Sequence, residues 1–187
     1  MPMTMSCLDA KVRVEVNLAE MSSSKMPAQA AALFKQAGME QVASILRPDR
    51  KQAIISFPTA KIYAQEAMSA SDLDGFNARY DIRSEDVGRE TLEGHPCMKS
   101  KVTVQSSSGG KMQGTVWRAT DLKNFPIRII LPSGDSTVEM TFKDLKLVKP
   151  DAALFEAPAG HRRYDNMEKL MTERMASLLG APPPPAK

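Results

Sequence analysis

Histidine, cysteine, net charge and long apolar runs are all scarce in this chain, and each scarcity removes a class of function. The net charge is only +3 over 187 residues. A nucleic-acid-binding domain concentrates a larger basic excess, so nucleic acid is not an expected partner. No stretch approaches the roughly 18 consecutive apolar residues of a membrane helix, so no transmembrane segment is expected. Two histidines and two cysteines leave little for metal chemistry. His95 and Cys97 flank Pro96, a spacing that in a strand turns both side chains to one face. Zinc needs two further ligands, and none stands nearby. A turn-and-core role is preferred for the pair, with no metal, no cofactor and no catalytic residue expected. The two cysteines allow one Cys7–Cys97 disulfide in an oxidising compartment. The preferred reading is a small buried Cys97 and a free Cys7 thiol.

What the chain does have is ordinary globular composition, 42% hydrophobic and 25% charged, with few aromatics and 13 methionines. Residues 11–18 alternate strictly. Val12, Val14, Val16 and Leu18 point one way and Lys11, Arg13, Glu15 and Asn17 the other, as in a half-buried strand. The stretch 27–37 is Ala-rich with apolar residues at helical spacing, and Gly38 is a ready C-terminal cap. Short β-rich runs follow at 42–46, 53–57 and 61–67, separated by Pro and Asp turns, and predict an antiparallel meander. Residues 69–77 read as a loop and 80–87 as a strand. Residues 98–105 and 112–119 form a hairpin around the Ser/Gly loop at 106–110. Residues 126–131 and 136–148 form another, with a phase change that predicts a bulge or bend near Lys143 and Asp144. Residues 151–155 read as one helical turn. A final amphipathic helix is expected over 166–180, with Met167, Leu170, Met171, Met175 and Leu178 as its stripe. A Pro-rich tail at 181–187 reads as disordered or polyproline. The first seven residues show neither the basic nor the apolar segment of a secretory leader.

Two stretches carry a family likeness. One is Glu93-Gly94-His95-Pro96-Cys97, followed by Thr115-Val116-Trp117-Arg118-Ala119-Thr120-Asp121-Leu122-Lys123-Asn124-Phe125-Pro126-Ile127-Arg128. The other is Lys149-Pro150-Asp151-Ala152-Ala153-Leu154-Phe155-Glu156-Ala157-Pro158-Ala159-Gly160. With Arg47-Pro48-Asp49-Arg50-Lys51 and Tyr63, the chain over roughly residues 11–171 resembles bacterial exported proteins of unknown function. These are related to the outer-membrane lipoprotein-sorting carriers of LolA-like fold. The resemblance implies a mainly β (α+β) domain over 8–165: a strongly curved antiparallel sheet, or unclosed half-barrel. The helices near 27–37 and at the C-terminus would cover its concave face. It implies a periplasmic or envelope location and a cavity for lipid or lipoprotein acyl chains. It also implies one or two strands ahead of residues 11–18, where only a short segment stands.

Methionine is flexible and polarisable and adapts to irregular ligands. The expected cavity lining is Met26, Leu33, Phe34, Met98, Met112, Trp117, Met140 and Phe142, with Trp117 equally readable as core. The leading expectation is therefore a non-enzymatic protein that binds a lipid or other apolar ligand. The alternative is a structural or interaction module of the envelope without a ligand. It would form homodimers through the exposed N-terminal strand edge and associate through the C-terminal helix.

Overall fold

A computed structural model describes residues 2–20, 27–106, 110–133 and 136–178. Met26, the loop at 107–109, the turn at 134–135 and the tail at 181–187 lie outside the described residues. In chain order the first elements are β1 (Met3–Leu8), β2 (Lys11–Asn17), α1 (Ala28–Gln36), β3 (Gln41–Arg47), β4 (Gln52–Phe57), β5 (Ile62–Ala67) and α2 (Ala70–Asn77). Then come β6 (Tyr80–Leu92), β7 (His95–Ser106), β8 (Lys111–Ala119), β9 (Phe125–Ser133) and β10 (Ser136–Thr141). β11 (Arg162–Tyr164) and α3 (Met167–Leu178) complete the set. The chain is mainly β, with two sheets that do not close.

These elements fall into two compact units, Met1–Phe76 with Lys149–Lys187, and Asn77–Val148. The first holds a six-stranded sheet in the order β1-β2-β3-β4-β5-β11. Every pairing in it is antiparallel except β5 with β11. Its turns follow local chemistry. Pro48 opens a 3-10 turn between β3 and β4 that ends at Lys51 in the left-handed region, and Lys61 closes the next turn in the same way. Gly38 caps α1 at φ +66°, donating its N–H to the Lys35 carbonyl, as the sequence predicts.

Cross-strand register shows which residues share a face. On one face of this sheet Val12, Val14 and Val16 stand opposite Leu46, Ser44 and Val42. Farther along that face Phe57, Ile62 and Ala64 pack with Tyr164 and Leu170. α1 and α3 cover this part, through Phe34 and through Met167, Met171 and Leu178. The stripe of α3 is thus spent on its own core. On the other face Ile45, Ile54 and Tyr63 pack under Phe155 and Ala157. The 3-10 turn Ala152–Phe155 begins at Asp151, whose carboxylate accepts from the Ala153 amide.

The second unit is a five-stranded antiparallel sheet in the order β10-β9-β8-β7-β6. It contains both hairpins expected from the sequence, β7–β8 and β9–β10. Bulges interrupt the register at Val87 and between Trp117 and Arg118.

Four features depart from the sequence reading. A strand, β1, does precede residues 11–18, so β1 and not β2 forms the edge of its sheet. Its Met, Thr, Ser and Cys residues carry too little alternation to signal a strand; β2 templates it. Residues 69–77 are not loop: Asp72 caps the Ser69 amide and hydroxyl, and α2 follows. β10 ends at Thr141; the phase change is a bend with Asp144 at φ +53°, not a continuing strand. β11 is too short to read as a strand without the neighbour it joins.

Candidate functional site

The pairings of the second unit sort its residues into two faces of opposite character. Ile82, Val104 and Met112 stand side by side across β6, β7 and β8. The next rows along the same face hold Val102 beside Gly114, and Val116 beside Ile129 and Met140. Leu131 pairs with Val138 and completes the apolar set, with Tyr80 beyond Ile82. This face is open. Ile82 is 62% exposed and Met112 43%, and Tyr80, Val138 and Met140 are exposed as well. Only three charged residues of the paired strands lie on it, Asp86, Arg89 and Arg118, and all three stand at one end.

The opposite face carries the other charges, among them Arg83, Glu85, Lys99, Lys101, Arg128 and Glu139. Among the described residues it also carries the only core of this unit. Cys97, Trp117, Ala119 and Ile127 are buried there, under Leu92, Leu122, Phe125 and Leu145. Trp117 is held on all sides. Its indole N–H donates to Glu90 at 3.1 Å. Lys99 and Arg128 lie 5.0 and 5.1 Å from its ring. The hydrogen bond from Lys99, and next that from Trp117, keep the Glu90 carboxyl below its usual range.

His95 and Cys97 share this second face, as their spacing predicts. His95 Nδ1 lies 2.8 Å from Asp121 Oδ2, and this contact holds the Asp121 carboxyl below its usual range. The Cys97 thiol donates to the His95 carbonyl, and burial raises its pKa. Both cysteines are free, Cys7 exposed and Cys97 buried, which is the preferred sequence reading. Among the described residues no three His, Cys, Asp or Glu side chains cluster as metal ligands would. No helix among them is long and apolar enough to cross a membrane.

At the charged end of the open face lies a groove of about 510 Å³, lined by Arg89, Glu90, Thr91, Pro96, Cys97, Met98 and Thr120. A second groove, of about 340 Å³, runs beside β1 and β2 in the first unit and includes Met3, Val16, Glu15 and Glu20.

No family model, curated protein or solved structure matches this chain. Nothing in those comparisons ties it to the lipoprotein-sorting carriers.

Of the residues expected to line one cavity, the structure sets Met98, Met112 and Met140 on the same open face but in separate rows. Trp117 lies on the opposite face, in the core. Phe142 follows β10 and meets Phe125 edge-on at 5.6 Å. Leu33 is exposed on α1, and Phe34 packs into the core of the first unit. Sequence reasoning missed Tyr80, Ile82, Ile129, Arg89 and Arg118 as neighbours of the methionines. The Tyr80/Ile82 alternation was the available signal, but it runs into Ser84 and Asp86 after two steps. Only the cross-strand register joins it to Val104 and Met112.

Proposed function

We propose that this chain is a non-enzymatic envelope protein that binds an acyl chain or other apolar group on the open face of the five-stranded sheet. One observation carries the reading: a nearly charge-free apolar face, spanning all five strands, is left in contact with water. Monomeric proteins rarely expose a contiguous apolar patch of this kind unless it receives something. Each CH₂ of a bound chain removed from water adds about 0.8 kcal/mol, so a modest chain supplies useful affinity without directional contacts. Met98, Met112 and Met140 suit such a ligand because their side chains conform to a flexible chain. The family likeness of residues 93–128 and 149–160 supports the same reading, together with a LolA-like half-barrel arrangement and export to the envelope.

Native mass spectrometry of the full chain, purified without detergent, tests this. The expected result is co-purifying lipid, and uptake of a fluorescent fatty-acid probe that Ile82→Asp abolishes. A protein that retains nothing and binds no probe overturns the reading.

A second reading, an interaction module without a ligand, is favoured by β1. This edge strand carries no charged residue, and its Met3 and Met5 are exposed. Unprotected edges of this kind pair with other strands. Sedimentation velocity across a concentration series separates the two: dimers that Met5→Lys dissolves favour the module.

A further inference from the structure

Resting on the lipid-binding reading, we infer that the ligand is a single-chain amphiphile with a carboxylate head, and that Arg89 and Arg118 receive that head. Arg89 stands opposite Met98, and Met98 opposite Arg118, so the three form one row across β6, β7 and β8. Adjacent strands lie about 4.8 Å apart, which puts the two arginine backbones about 10 Å from each other with Met98 between them. A carboxylate seated over Met98 would lie between the two strands that carry these arginines, and guanidinium groups bind carboxylates through paired N–H donors.

The charge balance at this end favours an anion. Arg118 Nη2 donates to Asp86 at 2.9 Å, to Ser100 at 2.9 Å and to Ser84 at 3.3 Å. Asp86 therefore offsets one positive charge, while Arg89 is exposed and has no ion-pair or hydrogen-bond partner among the described residues. Ser100 is fully buried beneath this set and donates to Asp86 at 2.6 Å, which fixes the acid and leaves the other Arg118 N–H groups to point elsewhere. Two arginines against one aspartate give the end of the face a net positive charge, and the rest of the face has none.

From the Met98 row the face runs past Ser100 to Val102 and Val104, where it is free of charge. That is six residue steps of strand, about 20 Å, enough for an extended acyl chain. The groove of about 510 Å³ at the charged end includes Arg89, Met98 and Thr120, and also Glu90, whose carboxylate accepts from Lys99 and Trp117. Head and tail are thus served by one surface with a single polarity.

Isothermal titration of the full-length protein with dodecanoate, dodecanol and dodecyltrimethylammonium tests this. Dodecanoate is expected to bind about tenfold or more tighter than dodecanol, the worth of one charge-assisted hydrogen-bonded contact. Arg89→Ala is expected to erase that advantage and to leave dodecanol binding unchanged. Arg89 is exposed and has no hydrogen-bond or ion-pair partner among the described residues, so this variant is expected to fold as the parent does, and Arg118→Gln serves as the second probe. Equal affinity for all three ligands, or an Arg89→Ala variant that keeps the preference, overturns the carboxylate inference while leaving a lipid-binding face intact. Extraction of two-chain phosphatidylglycerol from vesicles in preference to dodecanoate overturns the single-chain inference. Failure of every ligand to bind overturns the lipid-binding reading itself.

Discussion

The two units solve the same problem in different ways. Each is a sheet of mainly antiparallel strands with two faces, and a sheet face that is apolar needs a cover. In the first unit both faces have one. α1 and α3 lie on one side and the segment around Phe155 lies on the other. In the second unit one face has a small core at one end, and the other keeps Ile82, Met112 and Val138 in water. Covered faces are where stability is held; an open face is where binding is available. The contrast teaches that the apolar residues of one chain divide between a covered and an exposed setting that local composition does not separate.

The covered side breaks most visibly at Phe155. It is fully buried between β3, β4 and its own turn. Phe155→Ala is expected to cost about 3–5 kcal/mol, read as a large drop in the denaturant midpoint of the first unit.

Arg47 comes next. It is 3% exposed, an unusual place for a guanidinium. It donates to Asp49 at 2.9 and 2.8 Å, to Glu156 at 2.6 Å and to the Phe155 carbonyl at 2.9 Å. These bonds fasten the 3-10 turn to β3, and Arg13 adds a bond to the Leu154 carbonyl. Removing Arg47 leaves the Phe155 carbonyl buried and unpaired, while both acids still reach water. Arg47→Ala is therefore expected to cost about 1–3 kcal/mol in chemical denaturation, less than a fully buried ion pair would.

A similar loss is expected from the smallest residue on the open face. A Cβ at Gly114 would come within 2.5 Å of the Leu131 side chain and 2.6 Å of the Ile130 carbonyl oxygen. The backbone is one of the groups that must yield, so Gly114→Ala is expected to cost about 1–3 kcal/mol. Hydrogen exchange should localise the loss to β8 and β9. An unchanged exchange pattern there would show that the open face is softer than its register implies.

The legible part of this fold follows from the same contrast. Strict alternation in residues 11–18, the hairpin strands on either side of 106–110 and the helical spacing in 27–37 are local patterns, and the structure contains all three elements, with the first strand at Lys11–Asn17 and the helix at Ala28–Gln36. β1 and β11 are legible only once a neighbour exists to pair with, because neither carries its own periodicity. Trp117 was undecided in sequence because a lone aromatic in a strand fills a core or lines a groove equally well. Its partners Glu90, Lys99 and Arg128 come from three other strands. The candidate site was half visible. The methionines signalled an adaptable apolar surface, but Arg89 and Arg118 are separated by 29 positions, and only the β6–β7–β8 register sets them in one row. The clamp on Phe155 was hidden for the same reason, since Arg47 and Glu156 are brought together by the fold across 109 positions.

Acid should loosen the covered unit by a route the open face lacks. The hydrogen bond from Arg47 holds Asp49 at about 2 and also depresses Glu156. A carboxyl whose folded pKa is depressed contributes its stability above its unfolded pKa and loses it as pH falls through the folded value. The clamp is therefore intact above about pH 4.5 and weakens progressively toward pH 2. Stability measured across that window should fall, and Glu156→Gln should flatten part of the slope. A slope that Glu156→Gln leaves untouched would place the acid sensitivity outside the clamp.

The smallest expected effect is the most telling one. Ile82 is exposed near the start of the edge strand β6, and replacing an exposed apolar residue away from any packed contact changes stability within about 0.5 kcal/mol. Ile82→Asp should therefore leave the melting temperature nearly unchanged. It sets a charge in a row otherwise occupied by Val104 and Met112, where a bound chain would have to desolvate it. Loss of fatty-acid probe uptake without loss of stability is the signature of a face kept open for a ligand. A large fall in melting temperature would instead show that Ile82 is packed in solution, and the distinction between a covered and an open unit would disappear with it.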